Sequence, residues 1–184
     1  MARLGLLKGA RRMGLLVLCG GLLAIAAVNL LKDKGFPERT GVGGADITAE
    51  GVRYIGKKGK VQWELEVGKI QHWLGKGITA GRDLRMAFVL EDGRRIKARA
   101  DRGRAKRTGE GFVELEGNVT VELDGWHLQT EALRYDLKRE LLETNFPVEI
   151  TRDGLDIKGR EMKMDLQKGT VSIKGQVQVV LEEG

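Results

Sequence analysis

A gapless repeat of 29 residues runs through the C-terminal part of the chain. Val119–Gly125 (VTVELDG) aligns with Val148–Gly154 (VEITRDG), and the alignment extends on both sides without insertion. A fixed period of this size is typical of a structural unit that cannot bury its apolar face alone and therefore stacks on its neighbours. The aligned apolar positions include Val113 with Leu142 and Val171, Val121 with Ile150 and Val179, Leu128 with Ile157, and Leu133 with Met162.

Within each unit, apolar residues alternate with polar or charged ones. This period of two predicts strands with one apolar and one solvated face. The pairs Asp124-Gly125 and Asp153-Gly154 stand where a tight hairpin turn needs positive φ. Further upstream, Val61–Val67 alternates in the same way, whereas Gly75 and Gly77 separate two shorter predicted strands, Ile70–Trp73 and Ile78–Ala80. We expect about a dozen strands stacked as antiparallel β-hairpins.

The N-terminal segment has a different character. Residues 13–31 contain no charge and are long enough, at about 1.5 Å per residue, to cross a bilayer core as one helix. Four basic residues precede this run within residues 1–12, so the positive-inside rule places residues 1–12 in the cytoplasm and exports everything after Leu31. Residues 32–46, with Pro37 and several glycines, read as a linker, and residues 47–184 as one exported domain.

Two alternatives concern the same segment. Ala24-Ile25-Ala26 resembles a signal-peptidase site, and cleavage there would release a soluble protein. The apolar run nevertheless continues past this site to Leu31, which favours an uncleaved helix. Cys19 would suggest a lipoprotein, but the bulky Leu18 before it argues against lipidation.

The composition narrows the function. Cys19 is the only cysteine, so the exported part has neither disulfides nor thiol chemistry. Four of the 32 basic residues precede the apolar run, which leaves 28 against 26 acidic residues and a charge of only +2 for the exported part. His72 and His127 are too far apart to suggest a metal site, and carboxylate pairs such as Glu64 and Glu66 share a solvated strand face. These patterns indicate a protein that is not an enzyme and needs no cofactor.

One run of basic residues extends from Arg94 to Arg107. Export argues against nucleic acid as its partner, which leaves an ordinary solubilising strand face or a contact with phosphates of lipid A or of bilayer headgroups. The candidate phosphate contacts are Arg94, Arg95, Lys97 and Arg99.

Several segments resemble a known family. Gly51–Tyr54 and, after a glycine turn, Lys60–Glu66 (KVQWELE) are similar to the opening of LptC-type proteins, the single-span periplasmic components of lipopolysaccharide export. Gly117–Val119 and Leu128–Asp136 (LQTEALRYD) are similar to the second half of that family, which is shared with OstA-like and LptA-type proteins. The resemblance extends from Met1 to Leu181.

The resemblance implies an all-β periplasmic domain, an open, taco-like antiparallel β-jellyroll, after one N-terminal transmembrane helix. Such a protein sits in the inner membrane, accepts lipopolysaccharide from an ABC transporter and passes it to an LptA-type bridge protein. Its interior holds the acyl chains. The alternating residues expected to line this lipid groove are Val61, Trp63, Leu65, Met86, Phe88, Val119, Val121, Tyr135, Val148, Ile150 and Met164.

The last strand, Gln176–Leu181, has no proline and only two glutamates beyond it. An unprotected apolar edge of this kind favours docking of a further strand, so Val177, Val179 and Leu181 are the predicted edge for the bridge protein. Two other readings stay open: a structural β-scaffold with a sealed core that organises an envelope complex without binding lipid, and, further off, an enzyme acting on envelope glycans.

Overall fold

The computed structural model describes residues 45–58, 61–90, 92–106, 111–165 and 167–181, which form one antiparallel sheet of 12 strands. The prediction of an all-β domain with about a dozen strands is confirmed for these residues. The strands are β1 (Ile47–Lys58), β2 (Val61–Trp73), β3 (Ile78–Val89), β4 (Arg95–Lys106), β5 (Phe112–Leu123), β6 (Trp126–Asp136), β7 (Leu141–Thr144), β8 (Val148–Arg152), β9 (Leu155–Gly159), β10 (Glu161–Asp165), β11 (Thr170–Lys174) and β12 (Gln178–Leu181).

The hairpin turns follow from their residues. Asp124 and Gly125 have φ of 49° and 79°, and Asp153 and Gly154 have φ of 43° and 79°. Two consecutive residues with positive φ match the twist of the flanking strands. The turn chemistry read from the Asp-Gly pairs is therefore confirmed.

The long strands are bent at one common line across the sheet. The pairing ladders of β1 to β4 each skip one residue pair in mid-strand, and the β4–β5 and β5–β6 ladders change register there. We call this line the fold line. It passes through Gly51, Gly68, Asp83, Asp101, Gly117-Asn118 and Glu131.

The side-chain alternation changes phase at the fold line. In β2 the buried residues Trp63, Leu65 and Val67 are followed by Ile70, three positions further on, and in β6 Thr130 is followed by Leu133. A shift of one residue brings the other set of alternating side chains to the inward face, so that apolar residues point inward on both sides of the bend although their positions change from odd to even in β2. The sheet therefore folds over on itself, and its two halves share one core.

The two halves form two layers. Layer 1 contains residues 47–50, 69–73, 78–82, 102–106, 112–116 and 132–136 together with β7, β10 and β11. Layer 2 contains residues 52–58, 61–67, 84–89, 95–100, 119–123 and 126–130 together with β8, β9 and β12. Strand β6 belongs to both, since its end pairs with β7 and its beginning with β8.

The 29-residue repeat corresponds to one outward and one returning strand, each bent once. The repeat position of the bend is occupied in turn by Gly117-Asn118, Phe146-Pro147 and Gly175-Gln176. The first and third pairs adopt positive φ, whereas the second uses a proline, which cannot continue the hydrogen-bonding ladder. One structural requirement is thus met by different residue types.

Two predicted segments differ from, or lie outside, the described strands. The short strands expected at Ile70–Trp73 and Ile78–Ala80 are wrong as separate elements, because they are the ends of β2 and β3, joined by a 3₁₀ turn at Leu74–Lys76. The transmembrane helix predicted at residues 13–31 lies outside the described residues. Within the part that is described, no helix is long and apolar enough to span a bilayer.

Candidate functional site

The predicted groove residues lie in the shared core. Ten of the eleven have described side chains, and each is at most 8% exposed. Val61 belongs to β2, but its side chain is outside the description. Glu64 and Glu66, which alternate with Trp63 and Leu65, lie on the outer face. The interior position of these ten residues is a structural finding, and their contact with lipid stays a prediction.

The interior of layer 2 carries a continuous row of apolar side chains. Each member is paired directly with the next across the strands, so the row crosses β1, β2, β3, β4, β5, β6, β8, β9 and β12. Directly paired side chains on one face have Cβ atoms about 5 Å apart, close enough to make an unbroken surface. The row consists of Tyr54, Leu65, Met86, Ala98, Val121, Leu128, Ile150, Ile157 and Val179.

Layer 1 contributes a second row that crosses β1 to β7, β10 and β11 in the same way. It is polar near its start, where His72 Nδ1 lies 2.8 Å from Thr79 Oγ1, and apolar afterwards. The members are Ile47, His72, Thr79, Ala105, Val113, Tyr135, Leu142, Met164 and Val171. Sequence reasoning missed most residues of both rows, although the same alternation marks them, because which residues pair is set by the register.

The interior is closed in the middle and exposed at its ends. Phe88, Ile96 and Met162 are completely inaccessible to solvent. Towards the C-terminal end, exposure rises from 1% at Met164 to 46% at Val179. At the β1 end, the inward-facing Tyr54 is half-buried. Burial of Tyr54 and of Tyr135 raises the pKa of both phenols, and for Tyr135 the carboxylates of Glu140 and Asp136 add to the effect.

The predicted docking edge lies at this C-terminal end. Strand β12 pairs with β9 alone among the described strands, so its other side has no neighbour there. The strand predicted at Gln176–Leu181 begins only at Gln178, because Gln176 adopts positive φ at the bend. The apolar side chains here are exposed, with fractions of 41% at Val177, just before β12, and 46% at Val179 and 66% at Leu181 within it. A free edge with exposed apolar residues is the form that strand addition requires.

The four candidate phosphate contacts lie on or beside the outer face of layer 2, away from the interior. Arg94 donates from Nε to Asp92 Oδ2 at 2.6 Å, and this hydrogen bond lowers the pKa of Asp92. Lys97 is 3.9 Å from Glu122. Arg95 and Arg99 are exposed, and neither forms an ion pair within the described residues. Binding of phosphate by these residues stays a prediction.

Nothing in the described part suggests metal chemistry. Among residues 45–58, 61–90, 92–106, 111–165 and 167–181, no group of three or more His, Cys, Asp and Glu side chains comes together in a way that could hold a metal ion. What the arrangement offers is an apolar interior between two layers, a charged exterior and free strand edges.

Comparison with known proteins gives a consistent picture. Residues 15–182 match the family model described as "Lipopolysaccharide-assembly, LptC-related". The crystal structure of LptH from Pseudomonas aeruginosa, the LptA homologous periplasmic component of the conserved lipopolysaccharide transport device, is similar with a TM-score of 0.50 and 13% identity. That match covers 66% of this chain and 95% of the other, so it shows an LptA-like jellyroll fold. Among curated proteins, none matches the sequence.

Proposed function

Because the chain belongs to the family of LptC-related lipopolysaccharide-assembly proteins and so has a role in lipopolysaccharide transport, we propose how it acts. It is a periplasmic domain held at the inner membrane by residues 13–31. It receives lipopolysaccharide from an ABC transporter, shields the acyl chains between its two layers and passes the lipid to an LptA-type bridge protein.

The observation that carries this proposal is the pair of continuous rows. The layer 2 row crosses nine strands with aliphatic or aromatic side chains only, and the layer 1 row is apolar from Ala105 to Val171 apart from the phenol of Tyr135. Both rows end in partly exposed residues at the far side of the sheet. Keeping acyl chains out of water is worth about 0.8 kcal/mol per CH₂ group, so a lipid with several chains needs an unbroken apolar path. Charged residues of the described strands lie mainly on the outer face, whereas Arg152, at an inward register position of β8, lies over the Trp126 ring at 5.2 Å at one end of the interior.

Lipid entry requires the two layers to separate, since the middle of the interior is filled by side chains. The fold line supplies the natural axis for this movement, because the ladders are already interrupted there. The β7–β8, β9–β10 and β11–β12 connections leave layers 1 and 2 independently hydrogen-bonded on the C-terminal side. The work of opening would come from the transporter, through the lipid that it delivers.

Transfer of lipopolysaccharide to the bridge protein would use the free edge of β12. An LptA-type jellyroll that adds its own first strand to β12 would continue the layer 2 row past Val179. Main-chain hydrogen bonds supply affinity in such strand addition, and the alternate side chains supply specificity. Val177 and Leu181 would then be covered together with Val179.

Photo-crosslinking tests the proposal. A photoreactive amino acid at Leu65 or Ile150, both in the layer 2 row, should trap lipopolysaccharide in cells, identified by immunoblot and mass spectrometry. The matched control is the same amino acid at Ile55, which points outward from β1 and is 72% exposed. Equal trapping from Ile55 and Ile150, or none from Leu65 and Ile150, would refute a lipid path through the interior.

The alternative of a structural scaffold is favoured by one observation. Four core side chains are completely buried: Phe88, Ile96, Val119 and Met162. A core that never opens would organise an envelope complex without touching lipid. The crosslinking experiment separates the two functions, because a scaffold gives no lipid adduct from any inward position while still binding the bridge protein.

The anchor needs its own test. N-terminal sequencing of the mature protein should find an uncleaved chain, with residues 13–31 retained. A mature protein that begins at Ala27 would instead support a cleaved signal peptide.

A further inference from the structure

The outer faces of β3 and β4 bring arginines directly opposite one another. Arg85 is paired with Arg99, and Arg82 with Arg102, on either side of the fold line. All four side chains are exposed. We call these four residues the arginine patch.

The patch differs from other parts of the outer face, where several basic residues form ion pairs with acidic ones. Arg53 pairs with Glu64, Lys69 with Glu50 at 3.1 Å, and Lys158 with Glu149 at 3.1 Å. In the patch, by contrast, Arg82, Arg85 and Arg99 form no ion pair within the described residues, and Arg102 only reaches Glu116 at 3.7 Å. On their other sides, Arg85 is opposite Glu66 on β2 and Arg102 is opposite Glu116 on β5. Between β3 and β4 themselves, however, like charges stand directly opposite each other, which destabilises a sheet.

A lipid inside the domain cannot be the partner of the patch. The four side chains point away from the interior. Beside Arg85 and Arg99 the inward positions of layer 2 are Met86 and Ala98, and beside Arg82 and Arg102, beyond the change of phase, the inward positions of layer 1 are Thr79 and Ala105. The headgroup of a lipid whose chains lie between the layers is therefore separated from the patch by the sheet itself.

We propose that the arginine patch docks the outer face of the domain on an anionic membrane surface, with lipid phosphates as the recognised groups. The guanidinium group presents paired donors that match phosphate geometry, and basic residues near an anionic surface are attracted to it. This inference rests on the proposed anchor at residues 13–31.

The segment between the proposed anchor and the domain is long enough for the domain to reach the membrane surface. Residues 32–44, which connect the proposed anchor to the first described residue, reach about 45 Å when fully extended. A layer of nine strands spaced about 4.8 Å apart is about 40 Å long. The linker thus keeps the domain within about its own length of the bilayer, and charge complementarity then selects the face that docks.

The test uses the full chain in lipid nanodiscs. Cys19, the only cysteine, is replaced by Ala, and Thr120→Cys, opposite Arg99 on the outer face of β5, carries a fluorescent label. Quenching by a headgroup-spin-labelled lipid reports docking in discs of phosphatidylglycerol and phosphatidylcholine or of phosphatidylcholine alone. The patch variant is R82Q/R85Q/R99Q/R102Q. The control R53Q/K69Q/K158Q/K163Q removes the same charge from residues that are ion-paired.

We expect quenching in anionic discs only, lost at 0.5 M salt and in the patch variant but kept in the control. The ratio of docked to undocked domain should fall about tenfold or more in the patch variant, given the attraction per basic residue at an anionic surface. Equal quenching in both kinds of disc, or equal loss of quenching in the patch variant and the control, would overturn the proposal. It would also be overturned if the label became protected only when an acidic protein is added. A chain that fails to enter the discs refutes the anchor instead, so the two failures are distinguishable.

Discussion

At the scale of single residues, Tyr135 links the stability of the interior to pH. Its pKa is raised chiefly by burial, and further by the nearby carboxylates of Glu140 and Asp136. A raised pKa in the folded state means that the folded protein holds the phenolic proton more tightly than the unfolded chain does. The resulting stability is fully present below the unfolded pKa of about 10 and is lost as the pH rises through the raised value.

We therefore expect the free energy of unfolding of the wild type to fall more steeply between pH 9 and pH 11 than that of Tyr135→Phe. Urea unfolding at several pH values measures both. Tyr54, the only other tyrosine, and all remaining residues are the same in both proteins, so their contributions cancel in the comparison. Parallel curves for the two proteins would contradict the assignment to Tyr135.

Phe88 tests how tightly the interior is packed. It is completely buried in the middle of layer 2. Phe88→Ala should destabilise the domain by about 3–5 kcal/mol in chemical denaturation, through lost burial and the cavity left behind. Phe146→Ala is the matched control, since Phe146 is 46% exposed and its removal should cost far less. Similar losses for the two variants would mean that the core around Phe88 relaxes to fill the space.

At the scale of elements, the free side of β12 is open to a proline test. Successive residues of a strand direct their N–H groups to opposite sides. Of Val179 and Val180, one therefore faces β9 and the other faces the free edge. Pro at the outward-facing position should abolish binding of the bridge protein with little change in stability, since it removes a donor that only the partner uses. Pro at the position that faces β9 should also lower the stability of the domain, because it removes a hydrogen bond between β12 and β9.

A pull-down with the LptA-type protein and urea unfolding of both variants provide the two measurements. If Val179→Pro and Val180→Pro both bind the bridge protein with unchanged affinity, β12 is not the docking edge. Loss of binding that occurs only together with loss of stability would place the partner elsewhere.

How far the elements could be predicted depends on what controls them. Period two and the Asp-Gly turns are local, and they gave β5, β6, β8 and β9 correctly from the sequence. The bends are different, because Gly68 lies inside β2 rather than ending it, and the resulting shift of phase at Ile70 looked like a new strand. The arginine patch could not be found either, since Arg82 and Arg85 meet Arg102 and Arg99 only through the register of β3 and β4.

At the scale of the whole molecule, the fold line reconciles a packed interior with a role in lipid transport. Rows of inward side chains run the length of both layers, but in the middle they fill the space between them. Since protein interiors are close-packed, acyl chains cannot enter without moving one layer relative to the other. The hydrogen-bonded ladders within a layer need not break for this to happen, because they are interrupted at the fold line.

The last prediction follows from this geometry. Spin labels at His127 and Lys138, near the two ends of β6, report the angle between the layers, because the strand starts in layer 2 and ends at layer 1. Double electron–electron resonance on the Cys19→Ala background should show a shift to longer distances when lipopolysaccharide is bound. Labels at Lys57 and His127, both on layer 2, form the control pair and should not move. If photo-crosslinking detects bound lipid while the β6 distance stays constant, the layers do not separate, and the chains must lie at the exposed ends of the rows instead.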